Sequence, residues 1–150
     1  MKNLLHKTAG EEIIQRINKL TPQSKAIWGK MNVNQNLRHL NQSLLIPIGE
    51  LDPTLVNPPK MPKWLMKFFL LNVKPPRGGA ETFKEINMVA NNINPTDFEA
   101  ERNSLKNNLN KFLISPNLIP ENKLGGKFTK DDWGKLNYNH IDHHLRQFGS

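Results

Sequence analysis

Five histidines and no cysteine set the chemistry open to this 150-residue chain. Without thiols there are no disulfides, no Cys-type zinc sites, no iron–sulfur ligation and no protein thiol nucleophile. Any metal must then be held by histidine, carboxylate or carbonyl. His140 and His144 stand four apart, which puts both imidazoles on one helical face, one turn apart. At ~100° per residue both fall within about 20° of Trp133, on the apolar side of the last predicted helix. Burying two imidazoles is unfavourable unless their nitrogens gain partners. A shared metal ion is one such partner, and His at i, i+4 is a ligand spacing. Hydrogen bonds to neighbouring polar groups are the other, and the spacing leaves both readings open. His143 projects about 80° from that face, as an exposed or supporting side chain rather than a ligand. Position 141 is Ile, where a zinc-protease helix carries Glu, which argues against a protease. His39 offers a third ligand, although it lies roughly 120° from the leucine stripe of its helix, beside Asn36 and Ser43. His6 precedes the first helix and reads as a surface residue.

The elements that must position these residues are helical. Thr8-Ala9-Gly10-Glu11 has the form of a capping box, followed by Ile13, Ile14, Ile17 and Leu20 at helical spacing up to about residue 21. Trp28-Gly29-Lys30-Met31 is a connector, and Asn32 can cap a second helix striped by Val33, Leu37, Leu40 and Leu44. Residues 52–60 hold three prolines and read as a loop, with a third helix over about 62–73. A long irregular connection follows from Pro75 to Pro95, holding a short helix near 81–90. Thr96-Asp97-Phe98-Glu99 is a second capping box, launching a fourth stripe of Phe98, Leu105, Leu109, Phe112 and Leu113. Thr129 caps the last helix, with Asp131 and Asp132 in the dipole-favoured first turn. That helix carries Trp133, Leu136, Ile141, Leu145 and Phe148, of which Trp133 reads as core packing. No segment alternates at period two, and there is no internal repeat. The expected fold is all-α, a bundle of amphipathic helices joined partly by long connections, in one domain over residues 1–150.

Charge and hydropathy narrow the partners. The net charge of +8 comes from scattered lysines, with no basic run and a single tyrosine, so specific nucleic-acid binding is not expected. The most apolar stretch, 64–71, is far short of the ~20 residues needed to span a bilayer, and Lys67 interrupts it. Its apolar residues point all round a helix, so burial in the domain is expected rather than membrane contact. No apolar h-region follows Met1, and the expected location is the cytoplasm. Leu124-Gly125-Gly126-Lys127-Phe128-Thr129 lacks the leading glycine of a phosphate loop and follows no strand. Arg77-Gly78-Gly79 reads as a turn.

Trp28-Gly29-Lys30-Met31, His39, the late Lys127-Phe128-Thr129 with Trp133, and the terminal block from His140 to Gly149 together resemble the DinB/YfiT-like superfamily. The nearest likeness is to a subgroup of short bacterial proteins without assigned function, from about residue 10 to the C-terminus. The resemblance implies a four-helix bundle with a long crossover and a divalent metal held by three histidines. Carried across, these are His39, His140 and His144. It also implies the company of thiol-dependent transferases and a mycothiol-dependent isomerase. Relatives often carry a His-Pro pair where this chain reads Asn122-Lys123-Leu124-Gly125. Three neutral imidazoles leave open positions on an ion, as catalytic sites do. Zinc, nickel and iron all suit them. The expectation is therefore a metal-dependent transferase or hydrolase acting on a small molecule, with a low-molecular-weight thiol as cosubstrate, since the chain has none. Gln147 is expected as a polar pocket residue. A non-catalytic metal-binding or stress-response protein is the alternative, and a homodimer is compatible with either.

Overall fold

The computed structural model describes residues 2–77 and 82–150. Five α-helices lie among them: α1 (Lys7–Lys19), α2 (Val33–Ser43), α3 (Lys63–Asn72), α4 (Phe98–Ile114) and α5 (Lys130–Gln147). A two-stranded antiparallel hairpin, β1 (Glu121–Asn122) and β2 (Gly126–Lys127), joins α4 to α5. Helix α2 packs along α4 and touches α5, while α5 packs on α1. The ring closes between α1 and α4, where Lys106 bonds Asn18 and Gly10 faces Leu113. The expected all-α class holds, with four helices around one core and a crossover of more than fifty residues between α2 and α4.

The core is the set of stripes set by helical periodicity. Ile13, Ile17, Leu37, Leu40, Leu44, Leu105, Leu109, Phe112, Ile141 and Leu145 are all fully buried. Two cross-links tie the ring at its polar margins. Arg38 on α2 grips the buried Glu101 on α4, and Arg16 on α1 meets Asp142 on α5 at 2.8 Å. The chain start is held too: the Leu4 amide donates to the Gly134 carbonyl, and Leu4 is fully buried.

The helix starts divide. At α2, Asn32 accepts from the Gln35 amide while the Gln35 side chain accepts from Asn32, a complete capping box. At α5, Thr129 and Asp132 exchange the same pair of bonds. The expected box at Thr8–Glu11 does not form. Helix α1 begins earlier, at Lys7, after His6, which gives no side-chain cap, so Thr8 is already inside the first turn. At α4 the capping oxygen belongs to Asp97, which accepts from the Ala100 amide, rather than to Thr96. Residues 84–86 form a single 3-10 turn in place of the short helix expected near 81–90. Gly78 and Gly79, of the expected Arg77-Gly78-Gly79 turn, lie outside the described residues.

Helix α3 corrects the expectation of burial. Only Leu71 is buried, while Trp64 is 71% and Phe68 54% exposed. The helix lies outside the ring against α5 and the hairpin, so a single face has anything to pack on. Lys67 anchors it, pairing with Asp132 at 2.8 Å and donating to the Lys127 carbonyl at 2.7 Å. No helix among the described residues is long and apolar enough to cross a membrane.

Candidate metal centre

Helices α2 and α5 bring their histidines together. His39, His140 and His144 each direct one ring nitrogen into a cluster whose atoms all lie within 4.8 Å of one another. The His39 and His140 Nε2 atoms are 2.9 Å apart. His39 is buried, because α2 packs on both α4 and α5 and so buries two faces, which accounts for its position off the leucine stripe. His140 and His144 keep partial exposure.

The outer nitrogens fix which atoms face inward. His39 Nδ1 lies 2.8 Å from the Ile86 carbonyl, an acceptor only, so Nδ1–H donates and the Nε2 lone pair is left for the cluster. For His144 the chain of reasoning is longer. The Gln147 Nε2 donates to the Trp28 carbonyl at 2.7 Å, which turns Oε1 to accept from His144 Nδ1 at 3.0 Å. His144 Nε2 therefore also presents a lone pair. The Trp28-Gly29 connector makes this possible: Gly29 has φ +83°, and a Cβ there would lie 2.2 Å from Gln147 Nε2. Only glycine lets the side chain of Gln147 reach the backbone.

Burial holds all three imidazoles neutral. Desolvation, and then the charge of His143, lower the pKa of His39 despite the Ile86 hydrogen bond. Desolvation, followed by mutual repulsion within the cluster, puts His140 and His144 well below the ordinary imidazole value. With its proton on Nε2, His140 donates to His39 Nε2 across that 2.9 Å contact; with it on Nδ1, His140 presents a third lone pair, and a cation among the three nitrogens takes the place of the hydrogen bond. Nitrogens bound about 2.1 Å from one tetrahedral zinc ion sit about 3.4 Å apart, so the His39 and His140 nitrogens, now 2.9 Å apart, need to part only slightly to hold one. The donor set fits a divalent ion of the zinc, nickel or iron kind.

Around the cluster, His143 is partly exposed, its ring centroid 5.2 Å from that of His144 and 6.0 Å from that of Trp28. Burial and then the Arg146 charge lower its pKa. Gln147 is buried. Trp133 is core, its Nε1 donating to the Ile119 carbonyl. His6 is exposed and apart. A cavity of about 590 Å3 opens over the histidines, lined also by Trp28, Met66, Phe69 and Leu136. The hairpin contributes Asn122, whose Oδ1 accepts from the Leu124 and Gly125 amides, an Asx turn rather than a phosphate cradle.

Two participants left no trace in the spacing. The Ile86 carbonyl is a backbone group, with no side chain to mark it. The pairing of Trp28 with Gln147 joins residues far apart in sequence, and its one local signal is the glycine at 29.

Fold and site together define a helical bundle with a buried cluster of three histidines, able in its geometry to hold a metal ion. The chain belongs to a family of proteins of unknown function, DUF1569, whose model matches residues 1–150. No curated protein and no solved structure matches it.

Proposed function

We propose that this chain is a DinB-like, metal-dependent enzyme, a transferase or hydrolase of a small molecule, with His39, His140 and His144 as the metal ligands. One observation carries the reading: three imidazoles from two helices converge at a cavity of about 590 Å3, each with one ring nitrogen within 4.8 Å of the others. A structural zinc site closes all its positions with protein groups, whereas three ligands beside a cavity leave room for substrate. An ion held there supplies Lewis acidity that brings the pKa of a bound water or thiol toward neutrality.

The chain's own residues do the rest. Ile86 and Gln147 fix the two imidazoles whose outer nitrogens they engage. His143, on the cavity wall and unprotonated near neutral pH, is placed to take a proton from an incoming nucleophile. With no cysteine in the chain, a thiolate nucleophile comes from a low-molecular-weight thiol.

Elemental analysis of the purified protein after supplementation with zinc, nickel and iron tests the centre. The expected result is one ion per chain, lost in His140→Ala and kept in His143→Gln. A screen of thiols against electrophilic and hydrolysable substrates tests the activity. Turnover should require metal and fall by about 100-fold or more in His143→Gln, as expected when a general base is removed. No metal under any supplementation overturns the site. A loaded protein without turnover across the screen overturns the enzymatic half and leaves a non-catalytic metal-binding protein.

A further inference from the structure

At about 590 Å3, the cavity has room for a drug-sized organic molecule rather than only a few waters. Its walls are mostly carbon, drawn from segments far apart in sequence: Met31 from the connector before α2, Ile46 and Leu55 from the crossover, Met66 and Phe69 from α3, and Leu136 from α5. Among the described residues no Asp or Glu lines it. Two lysines do, Lys30 and Lys74, both exposed and thus at its mouth, and neither pairs with a carboxylate of the described residues. A third cation stands close by, the Arg77 guanidinium 4.8 Å from the centroid of the Trp28 ring. Trp28 is itself a lining residue.

These features describe a ligand with two ends. Neutral imidazoles form the floor, mostly apolar side chains the walls, and cations without a carboxylate partner among the described residues the rim. We infer that the cavity binds an organic anion with an apolar body, its acidic group held at the mouth by Lys30 and Lys74. The carbon body lies against Met31, Met66, Phe69 and Leu136. An organic cation is disfavoured, because it meets like charge at the rim and no carboxylate inside among the described residues. The ligand's far end faces the histidines, and that detail alone rests on the proposed metal centre; the preference for anions does not.

Calorimetric titration of the full-length protein tests the inference, first after chelation and again with zinc added. The probes are octanoate, decanoate, decanol and decyltrimethylammonium, all kept below micelle formation. Decanoate should bind tighter than octanoate by about fourfold for each of the two methylenes, and should exceed decyltrimethylammonium by about tenfold or more. In K30Q/K74Q the decanoate affinity should fall about fivefold or more, with decanol unchanged. Leu136→Trp, which fills the cavity, should abolish binding of every probe. Met66→Trp, on the peripheral α3, does the same should the first variant fail to fold. Trp64→Ser/Phe68→Ser, on the outer face of α3, should leave binding intact. Equal affinity for decanoate and decyltrimethylammonium overturns the inference. So does binding that survives the filled cavity but vanishes with the outer-face pair. Zinc uptake is measured on the same samples: anion preference without zinc binding removes the metal centre alone, and zinc binding without anion preference removes this inference alone.

Discussion

Gln147 has both ends of its amide committed: Nε2 to the Trp28 carbonyl and Oε1 to His144 Nδ1. Neither bond touches the inner face of the cluster, yet together they decide which His144 nitrogen carries the proton. Partners of this kind are commonly worth 10–100-fold in metal affinity. Gln147→Leu, similar in volume, should therefore weaken zinc binding by about 10–100-fold in competition with a chromogenic chelator, with little change in fold. Gln147→Glu should restore part of that, since a carboxylate still accepts from Nδ1–H but cannot donate to the Trp28 carbonyl. Unchanged affinity in both variants would show that Gln147 does not orient His144. At this scale, legibility follows sequence distance. His140 and His144 could be paired from spacing because one helix turn relates them. His39 joins them only through the packing of α2 on α5, which no local pattern encodes, and the resemblance to other bundles supplied it.

Helix α5 carries the site and meets three neighbours, so its close contacts matter more than its propensity. Gly134, in its second turn, has its carbonyl bonded to the Leu4 amide. A Cβ there would lie 2.0 Å from Asn3 Oδ1 and 2.9 Å from Leu5 Cγ. In a free helix, glycine to alanine gains about 1 kcal/mol. Here the substitution must displace the chain start, and overpacking costs typically 1–3 kcal/mol. The clash should win: Gly134→Ala is expected to destabilise by about 1 kcal/mol in urea unfolding, and a more stable variant would show that residues 3–5 yield freely. The same competition explains where periodicity served and where it failed. The stripes of α1, α2, α4 and α5 are buried because each has neighbours on its apolar side. Helix α3 is apolar all round but has one supporting face, and hydrophobicity alone cannot say how many faces the bundle will cover. The hairpin escaped notice because two residues per strand are too few to alternate.

For the molecule as a whole, the cluster couples protonation, metal and stability. Unfolded histidines take up protons near pH 6.5, whereas burial holds His39 below that value and His140 and His144 well below it. In metal-free protein the unfolded state thus binds more protons than the folded one as the pH falls through 6.5. Stability is fully present above about pH 6.5 and is lost below it, by up to about 1.4 kcal/mol per pH unit for each histidine. Zinc acts in the opposite sense. At a concentration a hundred times its Kd it adds about 2.7 kcal/mol, an increment that shrinks on acidification because protons compete for the same nitrogens. Urea unfolding of chelated and zinc-loaded protein at pH 7.5 and pH 5.5 separates the contributions. Chelated protein should be weaker at pH 5.5, and the zinc increment should be large at pH 7.5 and small at pH 5.5. His140→Phe should reduce the acid sensitivity and abolish the zinc increment at both values. Acid sensitivity unchanged in His140→Phe would place the titrating groups elsewhere in the fold, and a zinc increment that survived it would mean that the ion binds away from the cluster.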